Sequence, residues 1–324
     1  MGMLVEGKWC EDDAASALRN DKGEYIRAES RCRDWISSGE GSDFPAESGR
    51  YHLFLAHSCP WAHRTHITLK LLRLGNVVGT SFADPRRDDE GWWYKEGLDD
   101  TQLVNGKLHL HQLYTTSDAG YTGRVTTPTL WDRKTRTVIN NESEEILRML
   151  NAEFSAFSDT QLDLYPESQR ADIDEVNARV YRDVNNGVYR CGFAQSQEAY
   201  EEACTALFET LDWLDLRLGR HRYLAGRQLS EADVRLFPTL VRFDPVYYGH
   251  FKCNLRRIVD YANLSVYLRD LYQTPAFGET VNVPLYKQGY YGNSPSLNPR
   301  GIIPVGPELH YEAPHDRATR DYGG

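Results

Sequence analysis

An α/β domain followed by an all-α domain is the architecture this 324-residue sequence predicts. Two patterns carry that reading. Between Tyr51 and Leu150, apolar runs of strand length alternate with helical periodicity: strand, helix, strand, a polar insert, two strands, helix. After Asn151 only the helical period persists, to about Thr280. A third observation singles out one residue. Cys59 stands at the first strand-to-helix junction, immediately before Pro60.

Residues 1–48 are polar, with Trp9, Tyr25, Ile26, Trp35, Ile36 and Phe44 available for burial, and read as an extension that wraps over a core. The α/β domain spans 49–152. Tyr51 to Ala56 is its first strand, and Trp61, Ile67, Leu69, Leu71, Leu72 and Leu74 mark a helix that Gly75 is placed to close. Pro60 suits the first helical position, where its missing N–H costs nothing. Val77 to Phe82 is a second strand, parallel to the first because a helix crosses over between them. The stretch from Asp84 to about Ala119, with Gly91-Trp92-Trp93-Tyr94, is too long for a plain loop and is expected to be functional or structured. Arg124 to Trp131 reads as a strand entered through Pro128, and Thr137 to Ile139 as its hairpin partner across an Asp132–Thr135 turn. Pro128 fits an edge or turn, or else a cis Thr127–Pro128 bond that exposes the Val125 and Thr126 backbone to a ligand. A helix with Ile146, Leu147, Met149 and Leu150 follows. This order of elements is thioredoxin-like.

A linker over 153–166 leads to the helical domain, 167–280. Ile173, Val176, Val180, Val184 and Val188 share one helical stripe, and Ala203, Leu207, Leu211, Leu214 and Leu218 another. Ser230 and Asp233 make a capping box, with Leu229 and Val234 at the staple positions. Short helices are expected around Leu255–Tyr261 and Leu264–Tyr272, and the proline-rich 281–324 as an extended strap.

The chemistry centres on Cys59. At a helix N-terminus a cysteine meets free N–H groups and the positive end of the dipole, which stabilise the nucleophilic thiolate and lower the pKa. Most cysteines are merely small buried hydrophobes; the strand, Cys-Pro, helix succession favours a nucleophile here. Ala62 rules out a Cys-x-x-Cys dithiol, leaving a single-thiol mechanism with an external thiol. His57, His63 and His66 flank the cysteine, but their spacing matches no usual ligand set, so no metal is expected. The six cysteines are scattered, which suggests neither disulfides nor zinc and fits a reducing compartment. A net charge of −10 argues against a nucleic-acid partner. No apolar run reaches a membrane span, and the N-terminus lacks a signal-peptide pattern, so the cytoplasm is expected.

Six ordered motifs carry a resemblance. They are Ser58-Cys59-Pro60-Trp61-Ala62-His63-Arg64, Tyr121 to Pro128, Asn141-Glu142-Ser143, Val184 to Tyr189, Arg242 to Tyr247 and Asn298-Pro299-x-Gly301-Ile302. Together they make the chain, from about residue 30 to 315, similar to the glutathionyl-hydroquinone reductases, the Xi class of the cytosolic glutathione transferases. The resemblance implies that fold, glutathione as co-substrate, no metal or nucleotide, a quinone or hydroquinone partner and a homodimer. γ-Glutamylcysteine would satisfy the same γ-glutamyl contacts.

By the same resemblance Cys59 corresponds to the nucleophile. Trp92, beside Trp93, corresponds to a tryptophan lying on glutathione, and Arg124, Val125, Thr126 and Thr127 to the tripeptide contacts. Glu142 and Ser143 correspond to the receivers of the γ-glutamyl end. Tyr189 corresponds to the proton donor for the departing hydroquinone; Tyr247 and Tyr290, the latter beside Tyr291, to tyrosines near the sulfur. An aromatic pocket from Trp92, Tyr189, Tyr247 and Tyr290 would accept a flat ring. Among 20 tyrosines, any one is more often a core or rim residue; the resemblance is what singles these out. The implied reaction is reduction of a glutathionyl-hydroquinone through a Cys59–glutathione mixed disulfide. Two other readings remain: a general glutathione-dependent thiol transferase and a non-catalytic interaction module.

Overall fold

The computed structural model describes residues 2–10, 19–98, 101, 103 and 105–322. By internal contacts the chain forms two units, Met1–Ala17 with Ala28–Leu162, and Leu18–Arg27 with Asp163–Gly324.

In the first unit β1 (Met3–Val5) and β2 (Lys8–Cys10) form a hairpin. Then come β3 (Tyr51–Leu55), α1 (Pro60–Leu71), β4 (Gly79–Phe82), β5 (Trp93–Tyr94), β6 (Leu108–His109) and α2 (Leu110–Ser117). The unit continues through β7 (Gly123–Arg124), β8 (Thr129–Asp132), β9 (Thr137–Asn140) and α3 (Ser143–Glu153). The main sheet runs β4-β3-β8-β9, with β3 and β4 parallel and the other pairs antiparallel. All five residues of β3 are buried, as expected of a strand covered on both faces. Its side chains alternate between two cores. Leu53 and Leu55 join Ile36, Leu69 and Ile146, while Phe54 joins Tyr94, Leu113 and Trp131.

In this unit three boundaries differ from the sequence expectation. The left-handed residue after α1 is Arg73 (φ 55°), not Gly75, because the chain turns within a residue of the Leu72 cap. Val77 and Val78 are buried but donate their N–H groups to Leu74 O at 2.9 and 3.0 Å, so β4 starts only at Gly79. The strand expected from Arg124 to Trp131 is two strands in two sheets. β7 pairs with β1 (Met3 opposite Arg124), and β8 pairs with β3 after a cis Thr127–Pro128 bond.

Buried Asp132 is held by Arg50, whose Nε and Nη2 donate to its two oxygens at 3.0 and 2.6 Å. Burial pushes this carboxyl up, but the Arg50 and Thr135 hydrogen bonds outweigh it and the net shift is downward. A depressed carboxyl adds stability that is present above its unfolded pKa and lost as pH falls through the folded one. We therefore expect Asp132→Asn to lower the melting temperature at pH 7. Between wild type and variant, the gap should narrow below about pH 4; an unchanged gap there would refute the linkage.

The second unit is helical: α4 (Arg170–Val180), α5 (Gly187–Phe193), α6 (Gln197–Leu218), α7 (Glu231–Arg242), α8 (Tyr248–His250), α9 (Leu264–Tyr272), α10 (Pro275–Gly278) and α11 (Val283–Gly292). Two π-helical turns, Tyr181–Asn185 and Phe243–Tyr247, join α4 to α5 and α7 to α8. The capping box forms at α7, where Asp233 accepts from Ser230 N and Oγ, from Leu224 N and from Tyr267 Oη at 2.7–3.1 Å. Only Ile258–Asp260 of the expected Leu255–Tyr261 helix is helical, as one 3₁₀ turn. The strap is also shorter than expected. Asn282 caps α11 by accepting from Leu285 N at 3.1 Å, so the extended chain begins after Gly292. Lys287 of α11 then donates to the carbonyls of Pro304, Val305 and Gly306 (3.3, 3.0 and 2.9 Å) and pins that tail. No helix among the described residues is long and apolar enough to cross a membrane.

Candidate active site

Cys59 is the N-cap of α1, with extended backbone (φ −79°, ψ 117°) and Pro60 as first helical residue. Its Sγ accepts from Ala62 N at 3.4 Å and, as a thiol, donates to Thr127 O at 3.2 Å. No acidic residue lies in the first turn of α1 to oppose a negative sulfur. Cys59 is partly buried and touches both cores of the unit, so the sulfur sits where the two faces of the sheet meet the helix start.

The cis-proline loop comes to the sulfur. Thr126 O accepts from Thr129 Oγ1 (2.7 Å) and Tyr114 Oη (3.3 Å), which fixes the loop from behind. Thr127 Oγ1 is buried with no hydrogen-bond partner among the described residues. Polar groups in that condition are built for a ligand or for water. Arg124 is half-buried, with its carbonyl accepting from Tyr121 Oη at 3.3 Å.

The start of α3 is close-knit. Glu142 is its N-cap and Ser143 its first residue, buried. Ser143 Oγ accepts from Arg64 Nη1 of α1 at 3.3 Å, and Glu142 Oε2 accepts from Ser30 Oγ at 3.0 Å. Arg64 is fully buried, its guanidinium 4.5 Å from the centre of the Trp61 ring. Sequence reasoning assigned no role to Arg64 or Ser30. Arg64 stands five positions after Cys59, off the i+3 and i+4 face that helical spacing would indicate, and nothing local marks Ser30.

Trp92 is half-buried against the core that Cys59 also joins, with Arg87 5.2 Å from its ring, and its carbonyl accepts from Leu110 N. Trp93 instead donates Nε1 to Arg86 O at 2.9 Å and stacks under Lys107. Tyr94, another residue sequence reasoning passed over, has a buried hydroxyl with no partner among the described residues. Burial, then Tyr114 and Cys59, pushes its phenol well above the usual range.

In the helical unit, Tyr189, Tyr247 and Tyr290 form one hydroxyl cluster. Tyr290 Oη is 2.7 Å from Tyr189 Oη and 2.8 Å from Tyr247 Oη. The Tyr189 and Tyr247 rings both pack on Phe251, 5.4 Å away. Tyr189 and Tyr247 each follow or end a π-helical turn, a distortion often found at functional sites. Tyr247 and Tyr290 are buried, whereas Tyr189 is partly exposed. Burial, then Tyr189 and Tyr247, pushes Tyr290 well above the normal tyrosine range. Tyr291 turns away and donates to Pro245 O at 3.4 Å.

Residues 58–153 match the glutathione S-transferase N-terminal domain, and residues 197–270 the glutathione S-transferase C-terminal domain. The chain is 47% identical to the glutathionyl-hydroquinone reductase PcpF of Sphingobium chlorophenolicum, over 95% of this chain and 96% of that one. It resembles the Xi-class transferase structure from Natrialba magadii with a TM-score of 0.88 and 43% identity, covering 98% and 97% of the two chains. The glutathione-bound structure of YqjG from Escherichia coli K-12 follows with a TM-score of 0.86 at 42% identity, covering 99% and 100%.

Proposed function

This chain belongs to the glutathionyl-hydroquinone reductases, the Xi class of the glutathione transferases, and from that premise we propose that it reduces glutathionyl-hydroquinones to hydroquinones with glutathione as reductant. The observation that carries this reading is Cys59 Sγ at the α1 N-terminus, held between Ala62 N and Thr127 O. A serine or tyrosine hydroxyl there would steady the thiolate of glutathione itself. A cysteine can form a disulfide with it.

The thiolate of Cys59 attacks the sulfur of the thioether. The carbon–sulfur bond breaks with its electron pair going to the ring carbon, and Tyr189 supplies the proton that completes the hydroquinone. Cys59 and glutathione are left as a mixed disulfide. A second glutathione thiolate attacks the glutathione sulfur, releasing glutathione disulfide and the Cys59 thiolate. The ring gains two electrons, which the thioether sulfur and the second glutathione's thiol sulfur lose in forming the disulfide, so no further redox partner is needed.

The glutathionyl group would pair its main chain with Val125 and set its γ-glutamyl carboxylate at Ser143 and the α3 N-terminus. Glu142 would face the γ-glutamyl ammonium. Trp92 lies over the peptide, and Arg124 and Thr127 supply the outer polar contacts. Ser143→Ala and Glu142→Gln should each raise the KM for glutathione about tenfold, roughly 1.4 kcal/mol, with a smaller change in kcat. Unchanged KM values would move the γ-glutamyl end elsewhere.

The direct test is intact-protein mass spectrometry after mixing with glutathionyl-menadiol. One glutathione mass on the protein, hydroquinone released and the adduct cleared by thiol support the reductase cycle. An adduct formed only from glutathione disulfide supports a general thiol transferase instead. We place the enzyme in the cytoplasm as a homodimer; light scattering at twice the 37.2 kDa chain mass tests the second point and fractionation the first.

A further inference from the structure

We propose that Glu90, His109 and His111, in the first unit and apart from Cys59, form a binding site for a divalent cation of the zinc type. Their ligand atoms all lie within 4.8 Å of one another. Glu90 Oε2 is 3.1 Å from His109 Nδ1 and 3.6 Å from His111 Nε2. Ligands about 2.0–2.2 Å from a tetrahedral ion stand roughly 3.3–3.6 Å apart, so these separations are those of a coordination shell.

The protonation pattern argues the same way. His109 Nε2 lies 3.2 and 3.1 Å from the two oxygens of Asp88, which can only accept, so Nε2 carries the proton. In that tautomer the lone pair is on Nδ1, 3.1 Å from Glu90 Oε2. His109 Nδ1 and His111 Nε2 are both buried with no hydrogen-bond partner among the described residues. Nδ1 and Oε2 come close without the alignment a hydrogen bond needs. A lone pair and a carboxylate this close repel unless a proton or a metal cation stands between them.

The surroundings are those of a metal-binding histidine. A carboxylate on the far nitrogen fixes the tautomer and ring orientation of the ligand. Here Asp88 does so, and Lys107 Nζ at 2.6 Å holds Asp88 in turn. Trp9 stacks on the His111 ring at 5.0 Å and donates Nε1 to Asp89 O at 2.7 Å, fixing the third ligand. The His109 side chain is 7% exposed, His111 15% and Glu90 55%, so a fourth position opens to solvent. A cation there would tie the 88–91 turn to the start of α2.

The test is titration of chelator-treated full-length protein, in buffer without added thiol, with Co²⁺ and then Zn²⁺. One equivalent of Co²⁺ with tetrahedral visible bands and no thiolate charge-transfer band, displaced by Zn²⁺, is the expected result. Zn²⁺ should also raise the melting temperature, in Cys59→Ser as in wild type. His109→Ala should abolish both effects, and Asp88→Asn should weaken binding 10- to 100-fold with the same spectrum. Should His109→Ala misfold, Glu90→Gln and His111→Gln replace partly exposed side chains and carry the test, each expected to weaken binding at least about 10-fold. No cobalt bound at about 100 μM, a range where even weak sites fill, overturns the proposal. So does a spectrum that disappears in Cys59→Ser, or a Zn²⁺ stabilisation that survives in the histidine and glutamate variants.

Discussion

Cys59→Ala is expected to lower kcat/KM for a glutathionyl-hydroquinone by more than about 10⁴-fold, because removing a nucleophile removes the covalent step itself. The substitution takes away an Sγ that caps α1 through Ala62 N and bonds Thr127 O. Loss of a helix cap costs about 1 kcal/mol, too little to unfold a domain with two cores. The variant should therefore remain folded, bind glutathione and show no glutathione mass after exposure to thioether or glutathione disulfide. Circular dichroism and intact mass, measured together, separate a chemical loss from a structural one. A folded Cys59→Ala protein that still releases hydroquinone at a comparable rate would sink the mechanism.

Tyr189→Phe is expected to cut the rate of hydroquinone release by about 10²–10⁴-fold, the usual worth of a positioned proton donor. Phenylalanine keeps the ring contacts with Phe193 and Phe251 and deletes only the hydroxyl that meets Tyr290 Oη at 2.7 Å. Reaction of the reduced enzyme with glutathione disulfide expels a thiolate, which needs no proton donor of this kind. That half-reaction should keep its wild-type rate, and single-turnover mixing compares the two steps without interference from product release. Tyr290→Phe should have a smaller effect, since Tyr290 acts by holding Tyr189 and Tyr247. Equal losses in both half-reactions would make Tyr189 a packing residue.

Much of the site is local in sequence, and that part was legible. A cysteine followed by proline at a strand-to-helix junction has one way to fold, because proline accepts the first helical position and the cysteine then caps. Glu142 and Ser143 open α3 for a similar reason: acceptor side chains favour the place where four N–H groups lack partners. Helix ends were less legible. Gly75 is the better left-handed residue, yet the turn falls on Arg73, because Leu72 and Leu74 must both reach the same core. The strand through Arg124 and Pro128 looked continuous because its apolar run is; only the N-terminal hairpin, more than 100 residues away in sequence, pulls its first part into another sheet.

The sequence by itself determined the strand and helix order around Cys59, the helical second half, the place of Cys59 at a helix start and, through six motifs, the family. These follow from periodicity, capping and turn chemistry, all of which act over a few residues. Tertiary structure alone decided which side chains converge. Arg64 meets Ser143 across 79 positions, Tyr189 meets Tyr290 across 101, and Glu90 meets His109 and His111 from the far side of the insert. Such meetings depend on sheet order and helix packing, which are set by burial of the whole apolar surface at once, and no short stretch of chain contains that information.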